Sequence, residues 1–462
     1  MPFILITFAY FLGFAGFLSF LNFLLSFYYD NSGNTYIFIV SSVIMLSISF
    51  GLLLSFRDNN SNLSPSKNLI SIVVIWFFMP LILMIPIYMI LDISIISSYF
   101  EAVSMITTTG YSSLGEGYIL PKSIVTWYSI LQWYGGLLTI LFTVSVINIY
   151  QNENVSGVNS NKISNTKNIK LIHIIKSISY SYIFLTLGCV IILLILGVSF
   201  NESLILTMSA ISTGGFVSNP LIFNDNLILL VLSIFMIFGS INLYYSRELK
   251  LSKFLNLLIH KYALIIYILF FVICYMDNQY YISIIDKIIK NAFMLISIIT
   301  TTGYELTNFN NNIPFIIIMT LVFIGGFYGS TSGGIKIDRV VEMVKISSRE
   351  LNLLVRPNLV FGESVNRDNK VASLYWAYFF TYILVFVVIT LVLSTNNMTF
   401  EQSLMIAIAT ITNSGNIILN TLDANVLSYI DDKYKLFLSF SMITGRLEIL
   451  ALIGCLVAII KK

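Results

Sequence analysis

The sequence predicts an all-α membrane protein: four helix–pore-loop–helix repeats, covalently linked around one pore, preceded by an N-terminal helical hairpin. Three observations carry that prediction. Only 10% of the 462 residues are charged and 57% are hydrophobic, whereas an ordinary soluble chain carries roughly 25% charged residues. About ten uncharged runs reach the ~20 residues that a helix needs to cross a hydrocarbon core of ~30 Å. One short phrase recurs four times between those runs.

The apolar runs lie near 3–27, 35–56, 69–91, 123–149, 177–199, 227–245, 254–276, 313–335, 371–394 and 436–460. The seventh is the weakest, because it must borrow residues on both sides of Lys261 to span. The first opens Met1-Pro2-Phe3 with no basic residue and no small-residue cleavage site, so a retained span is expected rather than a leader. With the N-terminus inside, most of the 25 Lys and Arg residues fall on the cytoplasmic side. Lys122, Lys287, Lys290, Lys433 and Lys435 fall outside and Arg446 within a span, a bias that sets the orientation. The implied division is a hairpin over 1–68, then repeats over 69–150, 151–249, 250–356 and 357–462.

Several function classes drop out. The charge content is too low for an appended soluble enzyme domain, and nucleic-acid binding has no support. Cys189, Cys274 and Cys455 are far apart in apolar sequence, without disulfide or zinc spacing. His173 and His260 alone make neither a metal site nor a hydrolytic relay. No glycine-rich nucleotide motif occurs, so no organic cofactor is expected in this chain.

The recurring phrase reads Ile106-Thr107-Thr108-Thr109-Gly110-Tyr111, Ile211-Ser212-Thr213-Gly214-Gly215-Phe216, Ile299-Thr300-Thr301-Thr302-Gly303-Tyr304 and Ile411-Thr412-Asn413-Ser414-Gly415-Asn416. Each follows a short apolar stretch, such as 97–106, whose ten residues make a helix of about 15 Å, half the hydrocarbon thickness. Phe200 and Phe400 stand at one register before their Ile, each with Ser-Leu at the same offset. At that depth extended backbone is tolerated only where protein or a watery cavity surrounds it. Four such phrases around one axis suggest a ring of main-chain carbonyls that replaces the hydration shell of a monovalent cation, with glycine permitting the required angles. Small residues also serve helix packing, but four matches at equivalent places favour the ring.

Two further features are unusual. Residues 325–334 hold five of the 25 glycines, Gly325, Gly326, Gly329, Gly333 and Gly334, around Ser330, Thr331 and Ser332. The spacing of four suits a close helix contact, but the paired glycines favour a broken helix, an intramembrane loop that opens and closes, with Lys336 at its end. Arg446 lies about 15 Å into the last run, where an arginine costs at least ~2.5 to 3.5 kcal/mol on insertion scales and must face the protein interior. Glu448 is two residues away, on another helical face. A positive charge beneath a cation ring makes Arg446 a gate candidate. Glu116, Glu202, Asp225 and Glu305 are expected at the outer mouth, either concentrating cations or as solvated loop charges.

These residues, with Gln132-Trp133-Tyr134-Gly135-Gly136, the Gly329 to Lys336 stretch and Gly445-Arg446-Leu447, resemble the Trk/Ktr/HKT superfamily of potassium transporters over about 69–462, in particular the TrkH/KtrB membrane-subunit family. The N-terminal pair of runs leans to the TrkH type. The resemblance implies potassium as the transported ion, four filter glycines at Gly110, Gly215, Gly303 and Gly415, and a gating loop in the third repeat with Arg446 nearby. The full filter set would be Thr108, Thr109, Gly110, Thr213, Gly214, Gly215, Thr301, Thr302, Gly303, Asn413, Ser414 and Gly415. It also implies a bacterial plasma-membrane location, a homodimer, and a cytosolic regulatory subunit of the TrkA/KtrA type that binds NAD or ATP/ADP. The fourth phrase departs most from the pattern, and a sodium-coupled or sodium-permeable member is the alternative. A secondary transporter of organic solutes would show inverted two-part symmetry, and a non-transporting scaffold would need neither the phrases nor a buried arginine.

Overall fold

The computed structural model describes residues 2–29, 33–57, 65–115, 118–153, 163–241, 284–304, 306, 315–356, 364–396, 398–415, 427, 430–447, 449 and 452–455. The seventh apolar run, 254–276, lies outside the described residues, as do Glu116, Glu305 and Glu448. The described residues are almost wholly helical and contain no strand. Six helices among them are long and apolar enough to cross a membrane.

The N-terminal hairpin is α1 (Pro2–Tyr29) and α2 (Tyr36–Ser55). Small residues bring the two together: a Cβ on Gly13 would stand 2.7 Å from Ser49 Oγ, and Ser42 Oγ donates to Gly16 O at 2.8 Å. The hairpin is polar where it meets the rest of the chain. Thr126 Oγ1 donates to Asn22 Oδ1 (2.6 Å), Asn22 Nδ2 to Ser123 O (3.1 Å), and Tyr134 Oη to Phe11 O (2.9 Å).

The first repeat has α3 (Pro65–Leu83), α4 (Ile85–Leu91), the short helix α5 (Ile95–Ile106) and α6 (Lys122–Glu153). The predicted third run is therefore two helices. Pro86 has no amide to bond the carbonyl of Ile82 and its ring crowds that carbonyl, so α3 ends at Leu83 and the chain restarts as α4 after Met84 with Pro86 in its first turn. The second repeat has α7 (Ile163–Ile195), the short helix α8 (Phe200–Ser212) and α9 (Asn226–Ser240). The third has α10 (Ile284–Ile299), α11 (Phe315–Ile324) and, beyond a loop, the amphipathic α12 (Ile337–Val355). The fourth has α13 (Ser364–Ser394), the short helix α14 (Phe400–Ile411) and α15 (Asp432–Arg446).

One predicted break is present and one predicted run is corrected. The run at 313–335 is helical only to Ile324, after which twelve residues of loop precede α12. The last run starts as a helix at Asp432 rather than 436 and is interrupted after Arg446, the described residues 449 and 452–455 being helical again. Arg446 thus ends a helix about 21 Å long instead of standing inside a continuous one.

The short helices start alike. Ser94, Ser199 and Thr399 hold one register before their phrases at the N-cap positions of α5, α8 and α14; Ser94 and Thr399 accept a helix amide, whereas Ser199 donates to Glu202. Thr399 and Gln402 form a reciprocal capping box, with bonds of 3.2 and 3.1 Å. The elements then follow one another around a ring. α5 packs on α6, α6 on α8, α8 on α9 and α9 on α10, while α13 packs on α14, α14 on α15, and α15 returns to α5. The short helices and α6 are enclosed, whereas large apolar residues on α1, α2, α7 and α13, such as Phe27, Phe50, Phe184 and Leu384, face outward where lipid would lie.

Candidate functional site

All four phrases share one helix-ending turn, and the fourth departs from the others at its glycine, Gly415 having no positive φ. The third residue of each is left-handed although none is glycine: Thr108 (φ 56°), Thr213 (54°), Thr301 (56°) and Asn413 (51°). Its amide bonds three residues back, to Met105, Ala210, Ile298 and Thr410 at 3.0 to 3.4 Å. The next amide, of Thr109, Gly214, Thr302 or Ser414, reaches five residues back to Ser104, Ser209, Ser297 or Ala409 at 2.9 to 3.0 Å. That bond pair is a Schellman cap, which usually places Gly or Asn at the left-handed position. Asn413 fits the rule and the three threonines strain against it. Gly110 (φ 84°), Gly215 (70°) and Gly303 (90°) then return to the left-handed region, so each turns the chain sharply out of the membrane middle.

Side chains hold these turns rigid. Thr107 and Thr109 share a hydroxyl bond of 2.8 Å, Thr300 and Thr302 one of 2.7 Å, and Thr412 and Ser414 one of 2.6 Å. Gly214 removes that bond from the second phrase. Ser104 Oγ and Ser297 Oγ donate to the carbonyls of Tyr111 (2.5 Å) and Tyr304 (2.9 Å). Twelve predicted positions, from Thr108 to Gly415, are thereby brought into one buried zone.

The phrases touch in sequence around an axis. Gly415 N donates to Thr109 O (2.8 Å) and Asn413 Nδ2 to Thr109 Oγ1 (3.0 Å), joining the fourth phrase to the first. Gln132 Nε2 on α6 donates to Gly214 O at 2.8 Å, joining the first repeat to the second phrase. The carbonyls of Thr109 and Gly214 are therefore engaged by protein donors.

The third and remaining links come from the glycine-rich loop. Thr331 is fully buried; its Oγ1 donates to Ile211 O (3.1 Å) and Gly239 O (2.9 Å) and meets Thr213 Oγ1 at 3.3 Å. Gly333 N donates to Thr301 Oγ1 at 2.8 Å, and a Cβ on Gly333 would overlap Thr412 O. The loop thus lies against the inner ends of the second, third and fourth phrases. Gly325 (φ 67°), Gly329 (78°) and Gly334 (79°) need their glycines, and Lys336 (82°) adopts a positive φ with a full side chain, a strained state that costs ~1–3 kcal/mol. The neck of the loop is zipped by Ile335 N to Phe323 O (3.0 Å), Lys336 N to Ile324 O (2.9 Å) and Ile337 N to Gly326 O (2.9 Å).

Lys336 Nζ bonds back to the carbonyl and hydroxyl of Ser332, so it braces the loop from below. Arg339 lies over the rings of Tyr328 (5.0 Å) and Tyr378 (4.0 Å). Asp338 Oδ2 accepts from Tyr328 N at 2.7 Å; burial pushes its carboxyl above the usual range, against the pull of that amide, Lys336 and Arg339. Arg446 reaches across from α15, its Nε donating to Thr139 Oγ1 on α6 at 2.9 Å, while Nη2 is buried with no partner among the described residues. A cavity of about 40 Å³ separates the arginine from the loop, lined among others by Trp76, Phe142, Ser332, Lys336 and Tyr378. It has room for about three waters.

The sequence reading missed a set of supporting glycines. A Cβ on Gly135 would overlap Ile106 O, one on Gly239 would stand 2.5 Å from Ile211 O, and one on Gly445 would overlap Ile411 O. These glycines let α6, α9 and α15 press on the last carbonyl of their short helices. Gly135 and Gly239 stand at nearly the same distance beyond their phrases, which was the signal available in the sequence, and Gly445 stands farther on. Of the outer acids, Asp225 caps α9 through Leu227 N (2.9 Å), and Glu202 accepts from Ser199 Oγ (2.9 Å) in the first turn of α8. Asp225 has a local helix-end role, and Glu202 also accepts from Asn219 Nδ2 at 3.4 Å.

Residues 37–461 match the family described as TrkH, cation transport protein. An uncharacterized cation transporter of Methanocaldococcus jannaschii is 31% identical over 343 residues, covering 72% of this chain and 70% of the relative. The Trk system potassium uptake protein TrkH of Vibrio parahaemolyticus is 29% identical, covering 78% and 79%, and TrkG of Escherichia coli is 26% identical, covering 92% and 90%. The crystal structure of the potassium transporter TrkH from Vibrio parahaemolyticus superposes with a TM-score of 0.82 at 24% identity, covering 98% of this chain and 97% of that one. The fold likeness includes the N-terminal hairpin, which the sequence resemblance began after.

Proposed function

The chain belongs to the TrkH family of cation transport proteins, and on that premise we propose that it is a multi-pass plasma-membrane protein for potassium uptake. The names of its relatives as Trk system potassium uptake proteins support the ion. One observation carries the mechanism: four phrases, far apart in sequence, close on one another with the same left-handed cap. A potassium ion entering from outside sheds water against main-chain oxygens of these turns, centred on Thr108 and Gly110 and their counterparts at Thr213 and Gly215, Thr301 and Gly303, and Asn413 and Gly415. The oxygens are held by Schellman bonds and hydroxyl pairs, so the ring does not collapse onto a smaller ion without breaking them.

Below the ring the loop from Gly325 to Gly334 acts as the gate, a reading supported by the contacts of Thr331 and Gly333 with the second, third and fourth phrases. Arg446 and Lys336 hold positive charge on the inner path, which raises the barrier to a cation while the loop is shut. Opening requires the loop to leave the phrases and slide toward α12. The Trk system designation of the relatives supports a multi-component assembly; the finer reading is a homodimer whose α12 and cytoplasmic ends receive a nucleotide-binding regulatory subunit.

The test is rubidium uptake in a potassium-auxotrophic host, with sodium as competitor. Gly110→Ser, which adds a Cβ at φ 84°, is expected to admit sodium. Uptake that keeps its potassium preference in this variant overturns the ring, and sodium transport by the unaltered protein favours the sodium-permeable reading.

A further inference from the structure

Glu101 stands in the middle of α5 with no exposure to solvent. Its Oε1 accepts from Ser112 Oγ (2.9 Å), Ser113 N (2.7 Å) and Ser113 Oγ (2.9 Å), and its Oε2 from Tyr128 Oη (3.1 Å). Every neighbour donates. No Lys or Arg pairs with it among the described residues: Lys435, the cation that reaches α5, bonds Ser97 Oγ one turn away (2.9 Å) and lies 3.7 Å from Asp432.

The same register holds Leu206 in α8, Met294 in α10 and Ile406 in α14, all buried and apolar. Repeat symmetry therefore does not require an acid here, and burying a carboxylate without a counter-charge is costly unless its hydrogen bonds are complete. Four donors complete them. Three of the four come from Ser112 and Ser113, the residues that leave the membrane directly after Gly110 and Tyr111. The carboxylate thus sits behind the first phrase and grips its outgoing arm.

We propose that Glu101 is a specificity-determining positioning residue: its charge, screened by no cation and acting through low-dielectric protein, makes the first-repeat side of the ring the strongest in cation binding. The inference rests on the filter reading of the Gly110 phrase. A buried charge acts on an ion in the pore far more strongly than an exposed one, because little water intervenes. It also breaks the fourfold symmetry of the ring, which the divergent Asn413-Ser414 phrase breaks on the neighbouring side.

Glu101→Gln isolates the charge. The amide keeps one oxygen for the three serine donors and turns its nitrogen to Tyr128 Oη, so shape and bond count persist. In rubidium uptake the half-saturating concentration is expected to rise about tenfold, equivalent to ~1.4 kcal/mol, with maximal uptake little changed and sodium competition increased. Glu101→Asp, which retains the charge, is expected to lie closer to the parent. Half-saturation and sodium competition unchanged in Glu101→Gln overturn the proposal. So does a Glu101→Gln protein that fails to fold while Glu101→Asp folds, since the carboxylate would then serve folding alone. Gly110→Ser run in parallel separates the two readings: insensitivity of Gly110→Ser defeats the filter itself, whereas a sensitive Gly110→Ser beside an inert Glu101→Gln defeats only the role of Glu101.

Discussion

Left-handed threonine is costly, about 1–2 kcal/mol at each position, yet three of the four turns use it. At two of them the side chain seats the loop, Thr301 Oγ1 receiving Gly333 N and Thr213 Oγ1 donating to Thr331 Oγ1, whereas Thr108 Oγ1 is buried without a hydrogen-bond partner among the described residues. The Arg446 guanidinium is fixed to Thr139 through Nε and leaves Nη2 toward buried surroundings. Arg446→Gln keeps a donor for Thr139 and removes the charge. It is expected to raise rubidium flux about tenfold, the change that ~1.4 kcal/mol in the closed state produces; flux equal to the parent would leave the arginine a packing residue.

At the scale of elements, the loop after α11 and the glycines of the long helices account for how the site is held. Thr331 shares its one hydroxyl proton between carbonyls of α8 and α9, a bond contributing about 0.5–1.5 kcal/mol in all. Thr331→Ala is therefore expected to weaken closure and raise flux without lowering potassium preference, measured as rubidium uptake with and without sodium. Gly239 answers a different demand, the close approach of α9 to Ile211 O. Gly239→Ala forces α8 and α9 apart and is expected to destabilise the protein by about 1–3 kcal/mol, read as a lower melting temperature in detergent; an unchanged value would show that the helices have room to move. The break after Ile324 was legible in the sequence because five glycines in ten residues cannot support a helix. The glycines at 135, 239 and 445 were not read as a set, because each lies in an apolar stretch where a single small residue carries no message until its facing carbonyl is known.

Across the whole molecule the decisive contact joins the two ends of the repeat series. Residues 304 positions apart meet where Asn413 Nδ2 donates to Thr109 Oγ1, and Asn413 also donates to Met442 O on α15. Asn413→Ala removes both bonds and puts a less tolerant residue at φ 51°. It is expected to lower the potassium-over-sodium preference more than maximal uptake, in competitive flux measurements; loss of uptake with intact preference would place the effect on folding.

The sequence by itself determined the solvent and the repetition, and its basic-residue bias supplies the expected orientation. Low charge, run length and basic-residue bias report the energy of each residue in lipid or water, and that energy is local. The phrase recurs because each turn must solve the same backbone problem. Tertiary structure alone decided that the helix from Asp432 breaks after Arg446, that the loop seats on three phrases, and that one uncompensated carboxylate lies behind the first. Those outcomes depend on which donors and carbonyls meet across hundreds of residues, and no window along the chain contains both partners.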